Sequence, residues 1–204
     1  LKRCQHTMAK RRRAKVGTHG NRGRAWETRL DRVHKLYQKA GLAYIARLHP
    51  PYLMRKSLGR GAFEGILLGQ GPPDYLICGA GYTILMDAKE HKGARFPFAK
   101  VPAHQAAAFD AINKYGGEKM TGILLINYHK AGMAFAIDWR DIRGNYFNWL
   151  RNRKMGLKSP PGVASLSLEA AKGTSLWAGN SIVGGCDYLP AVLLALRLRE
   201  LEEE

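Results

Sequence analysis

A hairpin between two β-prone runs constrains this chain more than any other stretch. Pro73-Asp74-Tyr75-Leu76-Ile77-Cys78 and Tyr82-Thr83-Ile84-Leu85-Met86-Asp87-Ala88-Lys89 flank the connection Gly79-Ala80-Gly81. A short glycine-rich connection between such runs signals an antiparallel pair. Folding it about Ala80 sets Met86 opposite Asp74, with Asp87 one residue beyond, so two carboxylates meet at the open end. Asp87 and Lys89 are two apart on a strand and share a face. The apolar run Ile84-Leu85-Met86 leads straight into Asp87, which reads as interior strand. Two acids facing each other there repel unless a cation lies between them. Such carboxylates with a lysine beside them suit a site that holds Mg²⁺ and activates water against a phosphodiester. Asp-x-Lys also occurs on solvated strand faces, so the triplet needs support from the rest of the chain.

Charge supplies part of that support. Of the net +17, residues 1–60 carry +15, from 17 Lys and Arg against Glu27 and Asp31, while residues 61–204 carry +2. A nearly neutral body with a strongly basic front end is built to meet a polyanion, nucleic acid first among them. The basic stretch 1–24 has no sustained apolar helical face, which argues against a membrane surface. No apolar run reaches the roughly 18 residues of a membrane span, and no apolar segment follows the basic N-terminus as in a signal peptide. Cys4, Cys78 and Cys186 lie far apart without Cys-x-x-Cys spacing, so neither a disulfide framework nor a structural zinc site is expected. A reducing cytosol is the expected compartment.

Periodicity orders the remainder. Residues 1–20, with Lys10, Arg11, Arg12 and Arg13, read as a basic disordered arm. Leu30, Val33, Leu36 and Tyr37 predict a helix over 22–40, stopped by Gly41, and 42–48 a strand. Residues 49–73 are too long for a turn and read as a protruding basic arm with Arg55, Lys56 and Arg60 and an apolar tip of Leu53, Met54 and Phe63. Lys92 and Arg95 follow the hairpin. A helix is expected over 102–115, with Ala106, Phe109, Ala111 and Ile112 inward, then strands over 121–128 and 132–138. A short helix over 139–151 follows, then loop over 155–187 and a helix over 190–201. The order predicts an α/β fold, a mixed central sheet flanked by helices.

In this order and spacing, Asn21-Arg22-Gly23 with Glu27, Asp74-Tyr75, Asp87-Ala88-Lys89 and Phe96-Pro97 with His104-Gln105 resemble the RecU-type Holliday-junction resolvases of the PD-(D/E)xK, restriction-endonuclease-like nuclease superfamily. Weaker echoes are Lys158-Ser159 and Asp187-Tyr188-Leu189. The resemblance spans about residues 21–190. It implies one nuclease domain over 21–204, with a stalk inserted at 49–73 and a C-terminal helix over 188–204. It also implies a Mg²⁺-dependent homodimer, Mn²⁺ able to substitute, that nicks four-way DNA junctions symmetrically in the cytoplasm of a bacterium, encoded by that host or by a phage. Asp74, Asp87 and the Ala88 carbonyl would be metal ligands. Glu27 would complete the acidic cluster directly or through water, Lys89 would orient the attacking water, and Gln105 would help place that water or the phosphate. Arg22, Arg24, Arg55, Lys56, Arg60, Phe63, Lys92, Arg95 and the arm at 10–13 would bind DNA. The chain departs from the family at Asp87, where glutamate is usual.

Two other readings fit the same residues. A general or sequence-specific endonuclease of the superfamily would cut linear duplex as well as junctions. A non-catalytic architectural nucleic-acid-binding protein would keep the acids for structure, and Mg²⁺ dependence separates it from both enzymes.

Overall fold

The computed structural model describes residues 20–59, 62–158, 164–180 and 186–203, with backbone alone at 20–24, 58, 62, 63 and 203. Helix α1 (Gly20–Lys39) leads into β1 (Tyr44–Arg47). A ribbon of β2 (Tyr52–Gly59) and β3 (Ala62–Leu67) follows, then β4 (Tyr75–Gly79), β5 (Tyr82–His91) and short β6 (Arg95–Pro97). After α2 (Ala103–Tyr115) come β7 (Met120–Tyr128), β8 (Met133–Asp138) and α3 (Trp139–Lys154). The chain continues through β9 (Ser165–Ser167), α4 (Leu168–Thr174), β10 (Ser175–Asn180) and α5 (Leu189–Glu203).

Six strands form one mixed sheet in the order β1-β4-β5-β7-β8-β10. Every neighbouring pair is antiparallel except β5 and β7. A parallel neighbour needs a crossover, and α2 supplies it. The sheet flanked by helices is the α/β architecture expected, consistent with a restriction-endonuclease-like fold.

Strand alternation divides the core in two. Ile84 and Met86 of β5, Ile123 and Leu125 of β7, and Ala134 and Ala136 of β8 face one way, packed with Trp26 and Leu30 of α1 and Val192 and Leu196 of α5. Leu124, Ile126 and Tyr128 of β7 and Phe135 and Ile137 of β8 face the other, packed with Phe109 of α2 and Trp139, Ile142 and Tyr146 of α3. Each such large side chain removed from water contributes about 1.5–3 kcal/mol. Gly122 on β7 lets α2 come close, since a Cβ there would stand 2.6 Å from the Phe109 ring.

The hairpin differs from its expected register by one residue. Gly79 pairs with Tyr82 and Tyr75 with Met86, so the turn has two residues, not three. Ala80 (φ 49) and Gly81 (φ 84) are both left-handed, the signature of a type I′ turn, whose twist matches the flanking strands. The same register carried one step on sets Asp87, not Met86, opposite Asp74.

Other expectations shift for tertiary reasons. In the ribbon Gly59 pairs with Ala62, Leu53 with Ile66 and Met54 with Gly65, so Leu53 and Met54 lie towards its root and not at its tip. Leu36 and Ala111 face solvent. Residues 155–187, expected as loop, supply β9, α4 and β10, and β10 completes the sheet by pairing with β8.

Candidate metal and nucleic-acid site

The site forms at the end of β5 on the α2 face of the sheet. Odd-numbered residues of β5 point there, which puts Asp87 and Lys89 together, and the Lys89 ammonium lies 2.6 Å from Asp87 Oδ2. Asp74 ends the segment before β4, and its Oδ2 accepts the Ala88 amide at 2.9 Å. The Asp74 carbonyl accepts the Leu48 amide at 2.8 Å, which ties the acid to the end of β1. From α2, Gln105 Oε1 accepts a hydrogen bond from Lys89 Nζ at 3.0 Å. Asp74, Asp87, Ala88, Lys89 and Gln105, five of the residues singled out in the sequence, therefore meet in one place.

Asp87 is fully buried, and beyond the Lys89 ion pair neither carboxylate oxygen meets a hydrogen-bond donor. Burial pushes its pKa up to about 6, Lys89 opposing and Asp74 adding to the rise. A buried carboxylate short of donors is costly unless a cation takes up its charge. Those two oxygens, with Asp74 alongside, fit Mg²⁺, a hard ion that takes one or two carboxylates and keeps several waters. The Ala88 carbonyl lies on the same stretch of strand.

Glu27 is the expected ligand that the structure does not bring to the others. It sits on α1, which covers the opposite face of the sheet, and its carboxylate is paired with Arg47. Among the described residues no three His, Cys, Asp or Glu side chains form a metal-binding group. Arg47 also pairs with Asp31 at 2.8 Å, and Asp31 accepts the Tyr75 hydroxyl at 2.9 Å. This Glu27–Arg47–Asp31–Tyr75 network pins α1 to the strand that follows Asp74. Sequence reading missed Arg47 and Asp31; the available signal was a lone arginine closing the apolar stretch Ala43–Ala46.

Lys100 was also missed as a site residue. Its ammonium donates to the Glu90 carbonyl at 2.9 Å, and burial and the Lys89 charge lower its pKa against the pull of Glu90. Lys89 and Lys100 thus lie close enough to feel each other's charge, which suits an anionic substrate.

The expected DNA contacts distribute unevenly. Lys92 and Arg95 are exposed just past the site, and Arg55 and Lys56 are exposed on β2. Lys10, Arg11, Arg12, Arg13 and Arg60 lie outside the described residues, as do the side chains of Arg22, Arg24 and Phe63. No helix among the described residues is long and apolar enough to cross a membrane.

A sequence model for the family described as Recombination protein U matches residues 21–160. No curated protein matches the chain. The matched segment contains α1 from its second residue, the ribbon, the hairpin with Asp74, Asp87 and Lys89, Gln105 and all of α3.

Proposed function

This chain belongs to the Recombination protein U (RecU) family, and from that premise we propose that it is a Mg²⁺-dependent endonuclease that resolves four-way DNA junctions by paired symmetric nicks. The family is one of Holliday-junction resolvases. The metal, the pairing of nicks and the homodimer they require are our reading of this chain. The observation that carries it is the buried Asp87 carboxylate, short of donors, beside Asp74 and the Lys89 ammonium.

Asp74, Asp87 and the Ala88 carbonyl would hold the metal. Bound there, Mg²⁺ or Mn²⁺ would polarise a phosphate oxygen and lower the pKa of a water. Lys89 supplies positive charge where negative charge develops on the phosphate. Gln105 fixes the Lys89 ammonium through their 3.0 Å bond, a positioning role distinct from the expected placing of water or phosphate. Lys92, Arg95, Arg55 and Lys56 bind backbone phosphates, which favours recognition of shape over sequence. A four-way junction is two-fold symmetric, and a two-fold dimer presents two such sites at fixed separation.

The test uses an immobile four-way junction and a linear duplex of the same sequence, each with Mg²⁺ and with EDTA. Paired nicks are expected in the junction alone and only with Mg²⁺. Lys89→Ala should reduce cutting at least 100-fold, the lower end for loss of one preorganised charge, while binding stays within twofold. Cutting of both substrates would instead mark a general endonuclease, and binding without cutting an architectural protein or a site impaired at Asp87. Restoring cutting with Asp87→Glu would identify the impaired site.

A further inference from the structure

The charges of α3 are unevenly matched. In its first half the cations meet carboxylates: Arg140 on Asp138 and Arg143 on Asp110. Its remaining acid, Asp141, is met by Arg199 of α5. At the other end Arg151, Arg153, Lys154 and Lys158 are all exposed, and no ion pair among the described residues involves them. Arg151 donates to the Asn148 amide oxygen at 3.1 Å, and Arg153 lies over the Trp149 ring, 5.6 Å from its centroid.

Cations at a helix C-terminus have an ordinary use, since they meet the negative end of the macrodipole. Here backbone amides already take the last carbonyls. Met155 N donates to Arg151 O at 3.0 Å, Gly156 N to Arg153 O at 3.2 Å and Leu157 N to Asn152 O at 2.8 Å. Gly156 supplies the left-handed closing residue, φ +69. The cations therefore point their charge outward without capping duty.

A relay of contacts links this half of α3 to the proposed catalytic centre. The Tyr146 hydroxyl donates to Val101 O at 3.1 Å, and the Trp149 ring is 6.4 Å from that of Phe98. Phe98 opens the turn that carries Lys100, whose ammonium reaches the carbonyl of Glu90, next to Lys89 in the chain. At a rise of 1.5 Å per residue, the stretch from Tyr146 to Lys154 runs about 12 Å. That length separates the buried Tyr146, anchored on Val101, from the exposed cations at the helix end.

We propose that the C-terminal end of α3, Arg151 to Lys158, grips the backbone of a duplex arm of nucleic acid leaving the catalytic centre. The inference rests on the proposed function, because a backbone clamp beside the site has a use only where the substrate is nucleic acid. Its chemistry is that of phosphate without base reading: two guanidiniums, two ammoniums and no acid among them.

The experiment measures fluorescence-anisotropy binding of the full chain to a four-way junction in EDTA across a salt series. A quadruple variant replaces Arg151, Arg153, Lys154 and Lys158 with Gln. A second removes the same charge from the opposite end of the sheet, at Lys39, Lys114, Lys119 and Arg197, and a third carries Arg151→Lys and Arg153→Lys. Thermal unfolding establishes that all are folded. Each phosphate contact contributes about 0.9 to the slope of log K against log salt. The α3 variant should lose roughly three of that slope and at least tenfold in affinity, while the opposite-end and lysine variants stay near the parent. An unchanged slope, or equal loss in the opposite-end variant, overturns the clamp and leaves the proposed function standing. Absence of junction binding by the parent chain overturns both.

Discussion

Asp87, central to the proposed chemistry, also bears on the stability of its surroundings. A fully buried carboxylate with pKa raised to about 6 weakens the fold at neutral pH, and a bound cation removes that weakness. Addition of Mg²⁺ should therefore raise the melting temperature above its value in EDTA. At 100 times Kd the gain is about 2.7 kcal/mol, roughly 5–10 °C for a chain of this size. Asp87→Asn should unfold in EDTA no lower than the parent and lose the Mg²⁺ shift; a full shift in that variant would remove Asp87 from the ligands. The Asp87–Lys89 pairing was legible in the sequence because strand alternation is local. The Gln105 bond to Lys89 was not derivable in that way, since it exists only once α2 docks across the sheet on Gly122. The Glu27 pairing with Arg47 was hidden for the same reason: its position on a helix was readable, but the face of the sheet that helix covers was not.

At the scale of elements, the β4–β5 hairpin decides whether the two acids meet. A slip of one residue would turn every side chain of a strand to the other face. The type I′ turn fixes the register, yet Ala80 holds a left-handed conformation that costs a residue with a Cβ about 1 kcal/mol. Ala80→Asn should stabilise the protein by roughly 0.5–1 kcal/mol, read as a higher denaturant midpoint with unchanged slope, without altering junction cutting. Lower stability would mean the turn is not type I′ in solution. The strands of the sheet interior and the four long helices α1, α2, α3 and α5 were readable because their apolar periodicity is strong. α4 and β10 were not. Seven residues held at one end by the Ser167 hydroxyl, which accepts the Ala170 amide at 3.1 Å, leave little period to read. β10 is a strand because β8 offers it an edge, a property of the assembled sheet and not of the segment Ser175–Asn180.

Across the whole molecule, charge is unevenly spread: residues 1–60 carry +15 and residues 61–204 carry +2. Residues 1–19 hold seven Lys and Arg and no acid. Removing them should lower the salt slope of junction binding by about 0.9 for each phosphate they engage, while leaving Mg²⁺-dependent cutting at low salt. An unchanged slope would make that segment a bystander. The sheet itself has one parallel seam, between β5 and β7. The β4–β5 and β7–β8 pairs can zip from their hairpins, but this seam, like those of β1 and β10, waits until a long connection has closed its loop. Lys89 meets Gln105 only when the α2 crossover docks. During synthesis, then, Asp74, Asp87 and Lys89 all emerge before the α2 and β7 segments that seat Lys89 on Gln105, so the proposed centre is translated well before it can be assembled.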